Sequence, residues 1–267
     1  MSVDMGFSRS GAEGQATSLL AGRTAVVTGA GNGLGAAIAA RLAEEGVRVV
    51  LTGRDRAKLC AVAEGIDARV ETVDVASPGS VAALRDALAD EEISILVNNA
   101  GVPGPVAPLW EIDPADWDDV FAVNVRGVYL VCRAFLPAML ARGNGDVVNM
   151  ASVTGKRPLP RRTPYAASKT ALHGLTATLA HEVGTLGVRV NTLSPGPVAG
   201  PRMERNFALE AARTGTTAHD AEREFVSRAA LGRMVTEDEV AEATVAILRM
   251  RGLTGADVDL SGGMVAR

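Results

Sequence analysis

The chain has 267 residues, of which 47% are hydrophobic and 22% are charged, so it is long and apolar enough to bury a full core in one domain. Its formal net charge of −4 gives no overall attraction to phosphate backbones or anionic membranes, which argues against nucleic acid and membrane partners. No apolar run approaches the roughly 18 residues that cross a bilayer, and the N-terminus lacks the apolar core of a signal peptide, so we expect a cytoplasmic protein.

Short β-rich segments alternate with longer helical ones along the chain. The β-rich segments read TAVVTG, VRVVLTG, ARVETVDV, ISILVNNAG, GDVVNMAS, VRVNTLSPG and ADVDLSGG. The segments between them, such as GAAIAARLAEEG, carry apolar residues at three- and four-residue intervals, which is typical of amphipathic helices. This alternation predicts an α/β fold: a single doubly wound, Rossmann-type domain with a seven-stranded parallel sheet and helices on both faces.

Two segments fall outside this pattern. Residues 1–18 are polar and glycine-bearing, and we expect them to be disordered. Residues 19–267 are expected to form the single domain. Within it, residues at about 200–228 predict a helical insertion between the sixth strand and the last helix, in a place where lids over binding sites are common.

The chain has two cysteines, Cys60 and Cys132. They lie far apart within predicted helices and show neither the spacing of metal ligands nor that of a disulfide framework. We therefore expect two buried small side chains and no metal site.

The first predicted strand runs directly into TGAGNGLG, a glycine-rich turn that opens a helix. Glycine permits a tight turn with positive φ, and it lets a pyrophosphate reach the backbone amides without meeting a side chain. Taken alone, the pattern also fits a plain strand-to-helix turn. Its place after the first strand of a doubly wound sheet favours a dinucleotide site, with these candidate contacts: Gly29, Asn32, Gly33, Leu34 and Gly35.

Further motifs follow in order along the chain. They are DV at residues 74–75, NNAG at 98–101, the Asn of VNVRG at 124, the Ser of MASVTG at 152, YAASK at 165–169 and SPG at 194–196. With the glycine turn, which matches Thr-Gly-x-x-x-Gly-x-Gly, they make the chain from residue 20 onward resemble the short-chain dehydrogenase/reductase family. The resemblance implies a nicotinamide cofactor and hydride transfer between that cofactor and a secondary alcohol or ketone.

Tyr165 and Lys169 stand four residues apart, so on a helix both side chains lie on the same face. Such a pair also occurs by chance on many helices. The resemblance implies that Tyr165 is the general acid in carbonyl reduction and the general base in alcohol oxidation. A free phenol titrates near pH 10, and a cation one turn away favours the phenolate. The resemblance also implies that Lys169 binds the nicotinamide ribose, so both residues are candidate catalytic and cofactor contacts.

Ser152 and Asn124 complete the catalytic set that the resemblance implies. Ser152 ends the fifth predicted strand, where its hydroxyl would hold the substrate oxygen and polarise a carbonyl. Asn124 lies in a predicted long helix and would anchor a water that leads protons from Lys169 to solvent. The alternative is a helical Asn that does no more than satisfy the backbone at a kink.

Cofactor choice depends on the end of the second predicted strand, which reads LTGRD. An acidic residue there, roughly 20 residues past the glycine turn, selects the unphosphorylated ribose. Here Gly53 takes that position and Arg54 follows, so a 2′-phosphate would meet a guanidinium. Asp55 next to it, and Asn32 where many phosphate-preferring relatives carry a basic residue, argue the other way. We expect NADP(H) to be favoured over NAD(H).

The ends of the third and fourth predicted strands supply further cofactor contacts. Asp74 and Val75 lie where the family contacts the adenine ring, and the alternative is an exposed Asp that only caps the following helix. Asn99, Ala100 and Gly101 lie beside the topological switch point, where open α/β sheets bind ligands.

The segment PGPVAGPR departs from the family pattern. Pro195 and Gly196 would shape the nicotinamide face, as the resemblance implies. Relatives commonly carry a Thr four residues after that glycine, which binds the carboxamide, but Gly200 stands here. The carboxamide would then rely on the backbone around Val198.

The substrate pocket is the least determined part of the site. Lys156, Arg157, Arg161 and Arg162 lie between Ser152 and Tyr165, and Arg202 and Arg205 open the insertion. One possibility is that these residues bind an anionic substrate. The other, which we favour, is that they are solvated or contact a neighbouring subunit. Trp110 supplies an apolar wall or core.

We expect an oxidoreductase of secondary alcohols or ketones. A 3-oxoacyl thioester reductase and a sugar or sugar-acid dehydrogenase are alternatives within enzymes, and a cofactor-sensing binding protein is the alternative outside them. The family usually forms dimers or tetramers, so we expect a homotetramer or homodimer.

Overall fold

The computed structural model describes residues 18–265. The disorder expected for residues 1–18 concerns residues that, apart from Ser18, lie outside the described part of the chain. Seven strands are found between residues 18 and 265: β1 (Thr24–Thr28), β2 (Arg48–Gly53), β3 (Ala68–Thr72), β4 (Ile93–Asn98), β5 (Gly145–Met150), β6 (Val188–Pro195) and β7 (Asp257–Leu260).

The strands form one sheet in the order β3-β2-β1-β4-β5-β6-β7, and all neighbouring pairs are parallel. The strand order reverses between β1 and β4, which creates the switch point at the carboxyl edge of the sheet. The helices are α1 (Gly33–Glu44), α2 (Arg56–Ala63), α3 (Pro78–Ala87), α4 (Pro114–Phe121), α5 (Gly127–Arg142), α6 (Thr163–Val183), α7 (Pro201–Thr214), α8 (Ala218–Val226) and α9 (Glu237–Arg249).

Helices cover both faces of the sheet, and each face has its own core. Every residue of β1, β4 and β5 is buried, as expected for central strands of a parallel sheet covered on both sides. One core contains residues of α3, α5 and α6, and the other contains residues of α1, α2 and α9. The predicted doubly wound fold is confirmed.

A continuous helical segment, Pro114–Arg142, joins α4 and α5 through a π-helical turn at Ala122–Arg126. Among the described residues it is long and apolar enough to cross a membrane, with a mean hydropathy of 1.4 in its most apolar window. Half of that window is buried inside the protein, where α5 packs into one of the two cores. Core helices of soluble proteins share these properties, so the segment is weak evidence for a membrane span.

The cysteines differ from the sequence expectation. Cys132 is buried in α5, and burial raises the pKa of its thiol to about 12. Cys60, in contrast, lies exposed on α2. The expectation of a buried Cys60 is wrong because α2 turns only Leu59 fully into the core.

A ladder of buried polar side chains crosses three strands and reaches α6. Asn98, Asn149 and Thr192 are registered neighbours on β4, β5 and β6. Asn98 Nδ2 donates to Asn149 Oδ1 at 2.8 Å, and Asn149 Nδ2 donates to Thr176 Oγ1 at 2.9 Å. Thr192 Oγ1 also donates to Thr176 Oγ1, at 2.8 Å. Thr176 thus joins α6 to the middle of the sheet.

Replacing Thr176 by Val keeps the shape of the side chain but leaves the amide of Asn149 and the hydroxyl of Thr192 without this acceptor. We expect the free energy of unfolding to fall by about 2 to 3 kcal/mol, because buried polar groups left unpaired are costly. Thr178→Val, on the exposed side of the same helix, is the matched control and should change stability by no more than about 0.5 kcal/mol. Urea unfolding measures both, and equal losses would contradict the role of the ladder.

Candidate active site

The glycine turn lies between β1 and α1, and its glycines are needed for steric reasons. A Cβ on Gly35 would stand 2.2 Å from the Gly29 carbonyl oxygen, so the turn can fold this tightly only without a side chain there. Gly29 and Gly33 both have positive φ, at 68° and 54°. Leu34 is partly buried against the core that contains residues of α1, α2 and α9, whereas Asn32 is exposed.

The N-terminus of α1 is open to an anion. Asn32 is its N-cap residue, yet its side chain makes no capping hydrogen bond, and the first turn contains no acidic residue. The first amides of a helix need acceptors, and the helix dipole favours a negative one. The cradle therefore fits a dinucleotide pyrophosphate, with the turn glycines as the surface of approach.

Thr28, the last residue of β1, connects the glycine turn to the end of β4. Its hydroxyl oxygen accepts the amides of Asn99 and Ala100, each at 3.0 Å. Asn99 Nδ2 donates back to the carbonyls of Thr28 and Gly29, at 3.0 and 3.2 Å. These contacts bring two of the predicted motifs together at the switch point. Sequence reasoning missed Thr28, whose only signal is its place directly before the first glycine.

Asn124 lies fully buried in the π-helical turn. Its Oδ1 accepts the amide of Val102 at 2.8 Å, and its Nδ2 donates to the carbonyl of Val102 and to Ser168 Oγ, both at 3.0 Å. The side chain thus joins the loop after β4 to α6. The predicted long helix is present at this residue, and its backbone widens here into a π turn.

Lys169 and Tyr165 lie on α6, beside Asn124. The Lys169 side chain is buried, its Nζ donates to the carbonyl of Met150 at 2.7 Å, and Nζ stands 5.8 Å from the centre of the Tyr165 ring. A Cβ on Gly101 would lie 3.2 Å from Asn124 Oδ1 and 3.5 Å from Lys169 Nζ. The structure therefore brings the predicted Asn and Lys together at Gly101, with the Tyr165 ring beside Lys169.

Ser152 follows β5 by two residues and begins a short 3₁₀ turn, Val153–Gly155. Its Oγ accepts the amide of Thr154 and donates to the Thr154 hydroxyl, both at 3.2 Å. The turn is attached to α6, because Thr170 Oγ1 donates to the Gly155 carbonyl at 2.9 Å. Ser152 is therefore held beside α6.

The basic cluster consists of Lys156, Arg157, Arg161 and Arg162. Lys156 fits neither expectation for it, since the side chain is neither free to bind a substrate nor a solvated or intersubunit charge. Its side chain is only 5% exposed and forms ion pairs within the same chain, with Asp257 at 2.6 Å and with Asp259. The carboxylate of Asp257 also accepts a hydrogen bond from Ser194 at 2.7 Å. Lys156 thus anchors the loop after Ser152 to β7.

Two arginines of the cluster also have contacts within the chain. The Arg161 guanidinium donates weakly to the Val106 carbonyl at 3.4 Å, and that of Arg162 donates to the Pro103 carbonyl at 3.2 Å. Arg157 is partly exposed, and among the described residues its guanidinium has neither a hydrogen bond nor an ion pair. Arg205 is exposed on α7, and the Arg202 side chain lies outside the described part.

Trp110 belongs neither to the core nor to an enclosed wall, since its side chain is 85% exposed. It stands in a short 3₁₀ turn, Leu109–Glu111, where Leu109 is also exposed. The apolar character of this segment suggested burial, but a three-residue turn after Pro108 presents its side chains to solvent.

Arg54 is exposed directly after β2. Asp55, the competing acidic residue, is the N-cap of α2: its Oδ1 accepts the amide of Lys58 at 3.3 Å, and its Oδ2 pairs with Lys58 Nζ at 3.3 Å. These contacts lower the pKa of Asp55, with the backbone hydrogen bond as the largest cause. Its carboxylate is therefore engaged by α2.

Asp74 and Val75 lie just beyond β3, which ends at Thr72, three residues earlier than expected. Asp74 Oδ1 accepts the amide of Ala76 at 3.0 Å, whereas the N-cap of α3 is Ser77. The alternative that Asp74 caps this helix is wrong. Val75 is buried against Gly127, at the start of α5.

The segment after β6 reaches the insertion through an unusual glycine. Gly196 donates its amide to the Leu260 carbonyl at 2.8 Å, directly after Pro195 at the end of β6. Val198 forms an isolated parallel bridge with Val235. Gly200 has φ 145° and ψ 179°, a conformation essentially restricted to glycine, so the backbone here excludes the Thr of the family pattern.

The family model described as short chain dehydrogenase matches residues 23–211. The chain belongs to the short-chain dehydrogenase family. It is 37% identical over 255 residues to D-threitol dehydrogenase of Mycolicibacterium smegmatis, and the alignment covers 91% of this chain and 93% of the relative.

Two solved structures align with almost the whole chain. A single-residue variant of actinorhodin polyketide ketoreductase with NADPH is 34% identical, with a TM-score of 0.85 over 91% of this chain and 97% of that chain. NAD⁺-bound xylitol dehydrogenase is 31% identical, with a TM-score of 0.85 over 92% and 100%. The resemblance predicted from the motifs is confirmed. The protein is an oxidoreductase that transfers hydride between a nicotinamide cofactor and an alcohol or ketone.

Restoring the Thr of the family pattern tests the backbone at Gly200. A Cβ there would lie 3.7 Å from Glu237 Oε1, so it meets no clash, and the expected loss of about 1 to 3 kcal/mol in Gly200→Thr comes from the positive φ alone. Gly200→Ala should lose a similar amount. Gly252→Thr is the control, since Gly252 has open space and no positive φ. Thermal unfolding measures all three, and a fully stable Gly200→Thr would contradict this account.

Proposed function

We propose that Asn124, Ser152, Tyr165 and Lys169 are the catalytic residues of this dehydrogenase. The observation that carries the proposal is that Asn124 and Lys169 meet at Gly101, after the end of β4, with the Tyr165 ring beside the Lys169 ammonium. This places a phenol and a buried cation at the carboxyl edge of the sheet, where open α/β folds bind ligands.

In alcohol oxidation, Tyr165 accepts the proton of the substrate hydroxyl, and in carbonyl reduction it returns that proton to the oxygen. The ammonium of Lys169 lies 5.8 Å from the centre of the Tyr165 ring and balances negative charge that develops on the phenol oxygen during proton transfer, and the hydroxyl of Ser152 holds the substrate oxygen. Asn124 holds the loop after β4 against α6 through Val102 and Ser168. In this place it would anchor a water that leads protons from Lys169 to solvent. The bound nicotinamide supplies the hydride acceptor or donor.

A cofactor-sensing protein without turnover is the competing function. It would keep the glycine turn but has no need of a Tyr–Lys pair with the lysine buried. Reduction of the cofactor in the presence of secondary alcohols separates the two functions.

The cofactor contacts that we propose follow the carboxyl edge of the sheet. The amides after Asn32 receive the pyrophosphate, and the ends of β3 and β4 receive the adenosine and the nicotinamide ribose. Val198 receives the carboxamide, because its own amide and carbonyl make no backbone hydrogen bond with the described residues while its neighbours pair with Val235. The contacts are Gly29, Asn32, Gly33, Leu34, Gly35, Arg54, Asp74, Val75, Asn99, Ala100, Gly101, Tyr165, Lys169, Pro195, Gly196 and Val198.

We favour NADP(H) over NAD(H). Arg54 is exposed at the end of β2 and available to a 2′-phosphate, while Asp55 is engaged as a helix cap. No carboxylate other than Asp55 directly follows this strand.

The substrate that we propose is a polyol or the corresponding keto sugar. Two of the similar proteins, D-threitol dehydrogenase and xylitol dehydrogenase, are named for polyols. Among the described arginines near the site, Arg157 and the exposed Arg205 form no side-chain hydrogen bond or ion pair, so they are the groups left to bind a sugar acid, whereas Lys156 is held by its ion pairs. A panel of polyols, sugar acids and 3-oxoacyl thioesters with both cofactors tests this order.

We also propose a cytoplasmic homotetramer or homodimer. The support for association is membership of the family, whose members usually form dimers or tetramers.

Tyr165→Phe removes the transferable proton and keeps the ring. We expect kcat to fall by about a hundredfold or more, because general acid-base groups contribute at least this factor, while cofactor affinity stays nearly unchanged. Tyr129→Phe, the same change at an exposed position, is the control and should retain full activity. Steady-state kinetics and cofactor titration measure both effects, and a Tyr165→Phe variant with most of its rate would overturn the assignment.

Arg54→Leu tests the cofactor preference. We expect NADP(H) to bind about tenfold more weakly, because only the phosphorylated ribose carries the charge that the guanidinium meets, and NAD(H) affinity should stay nearly constant. Arg56→Leu, an exposed arginine two residues further on, is the control. Fluorescence titration with both reduced cofactors gives the answer. Wild type that already prefers NAD(H) would refute the proposal.

A further inference from the structure

Glu237, the first residue of α9, lies next to Gly33 of the proposed cofactor site and next to Gly200 before the insertion. Its Oε1 lies 3.4 Å from the position that a Cβ on Gly33 would take and 3.7 Å from the corresponding position on Gly200. Gly33 begins α1, and Gly200 directly precedes α7. One carboxylate therefore stands between the glycine turn and the start of the α7–α8 insertion.

The backbone around Glu237 is held by its own contacts. Val235 forms the isolated bridge with Val198, and Thr236 forms a capping box with Glu239 at the start of α9. Among the described side chains, none forms a hydrogen bond or an ion pair with the Glu237 carboxylate. Its position is therefore set by the fold and not by a partner of the carboxylate.

Burial raises the pKa of the Glu237 carboxyl above its usual range, and the neighbouring Asp238 adds to the rise. Two cations of neighbouring segments have other partners: Arg233 pairs with Glu239, and Lys58, whose Cβ lies beside Gly31 of the glycine turn, pairs with Asp55. The charged residues at the start of α7 are Arg202, whose side chain lies outside the described part, and the exposed Glu204 and Arg205.

We propose that Glu237 opposes the pyrophosphate of the cofactor and thereby sets the affinity of the site. This inference rests on the proposed cofactor site, in which the pyrophosphate approaches the open N-terminus of α1. A pyrophosphate there brings negative charge next to the Glu237 carboxylate in a partly buried place, where like charges repel strongly. The repulsion is relieved when Glu237 takes up a proton, so the cofactor binds together with a proton, and ionised Glu237 favours release.

The direction of the pH dependence follows from this coupling. The bound pyrophosphate raises the pKa of Glu237 further, so the complex holds its proton to higher pH than the free protein. Affinity is highest at low pH, where the carboxyl is protonated in both states. It falls as pH rises through the pKa of the free protein and levels off above the pKa of the complex.

Calorimetric titration with ADP-ribose tests the proposal without turnover, since this probe carries the pyrophosphate but no nicotinamide. In wild type we expect proton uptake, measured from the dependence of the binding heat on the ionisation enthalpy of the buffer. In Glu237→Gln we expect no uptake, and affinity about five- to fiftyfold higher at alkaline pH. Adenosine, which has no phosphate, should bind both proteins equally.

Asp238→Asn is the matched control. It removes the same charge from the same first turn of α9, but Asp238 is exposed, so its effect on ADP-ribose affinity should be much smaller. Glu237→Asp keeps the charge and should keep the proton uptake. Thermal unfolding of the ligand-free variants checks that they are folded. The proton uptake on ADP-ribose binding is measured in wild type and does not depend on any variant.

Three results would overturn parts of the argument separately. ADP-ribose that binds wild type without proton uptake and binds Glu237→Gln no more tightly refutes the role of Glu237 and leaves the cofactor site standing. An equal gain in Asp238→Asn also refutes it, since the effect would then belong to the overall charge of the helix. Failure of wild type to bind ADP-ribose refutes the proposed cofactor site itself.

Discussion

The hydrogen bond from the Lys169 ammonium to the Met150 carbonyl determines where the groups of the site lie. A buried cation is tolerated only where oxygen atoms receive its protons, and the end of β5 provides one at 2.7 Å. Because Tyr165 precedes Lys169 by one turn, fixing the lysine also fixes the phenol. Asn124 then attaches to the same helix through Ser168. The relative placement of three chain segments thus depends on how α6 is attached to the sheet.

The fold was predictable from the sequence because its signals are local. Buried parallel strands consist of continuous apolar runs, and amphipathic helices repeat their apolar residues every three or four positions, so each element can be recognised from its own residues. The motifs at the strand ends were predictable for a related reason. Parallel strands bring their carboxyl ends to one edge, so Gly29, Asn99 and Ser152 had to lie on the same side of the molecule once the strand order was known.

The parts that the sequence did not predict depend on distant partners. Lys156 looked like a free surface charge, yet it is bound to Asp259, 103 residues further along the chain. No local pattern reports such a pairing. The opposite error occurred at Trp110 and Cys60, which were expected to be buried and are exposed. An apolar side chain is buried only when a second element covers it. Gly200 was recognised as a departure, but its reason, a backbone conformation closed to other residues, needed the torsion angles.

The π turn at Asn124 has a consequence for comparing this chain with others. Each residue of an α-helix turns the chain by about 100°, so one additional residue rotates every later side chain by that amount. A π turn absorbs such an insertion locally and keeps α5 in its packing. Across Pro114–Arg142, the apolar repeat of α4 and that of α5 are therefore out of phase by one position. Aligning this chain with a relative whose helix lacks the π turn therefore requires a single-residue gap at the turn. Deleting one residue there would restore a regular helix and would move the Asn124 amide away from Val102 and Ser168.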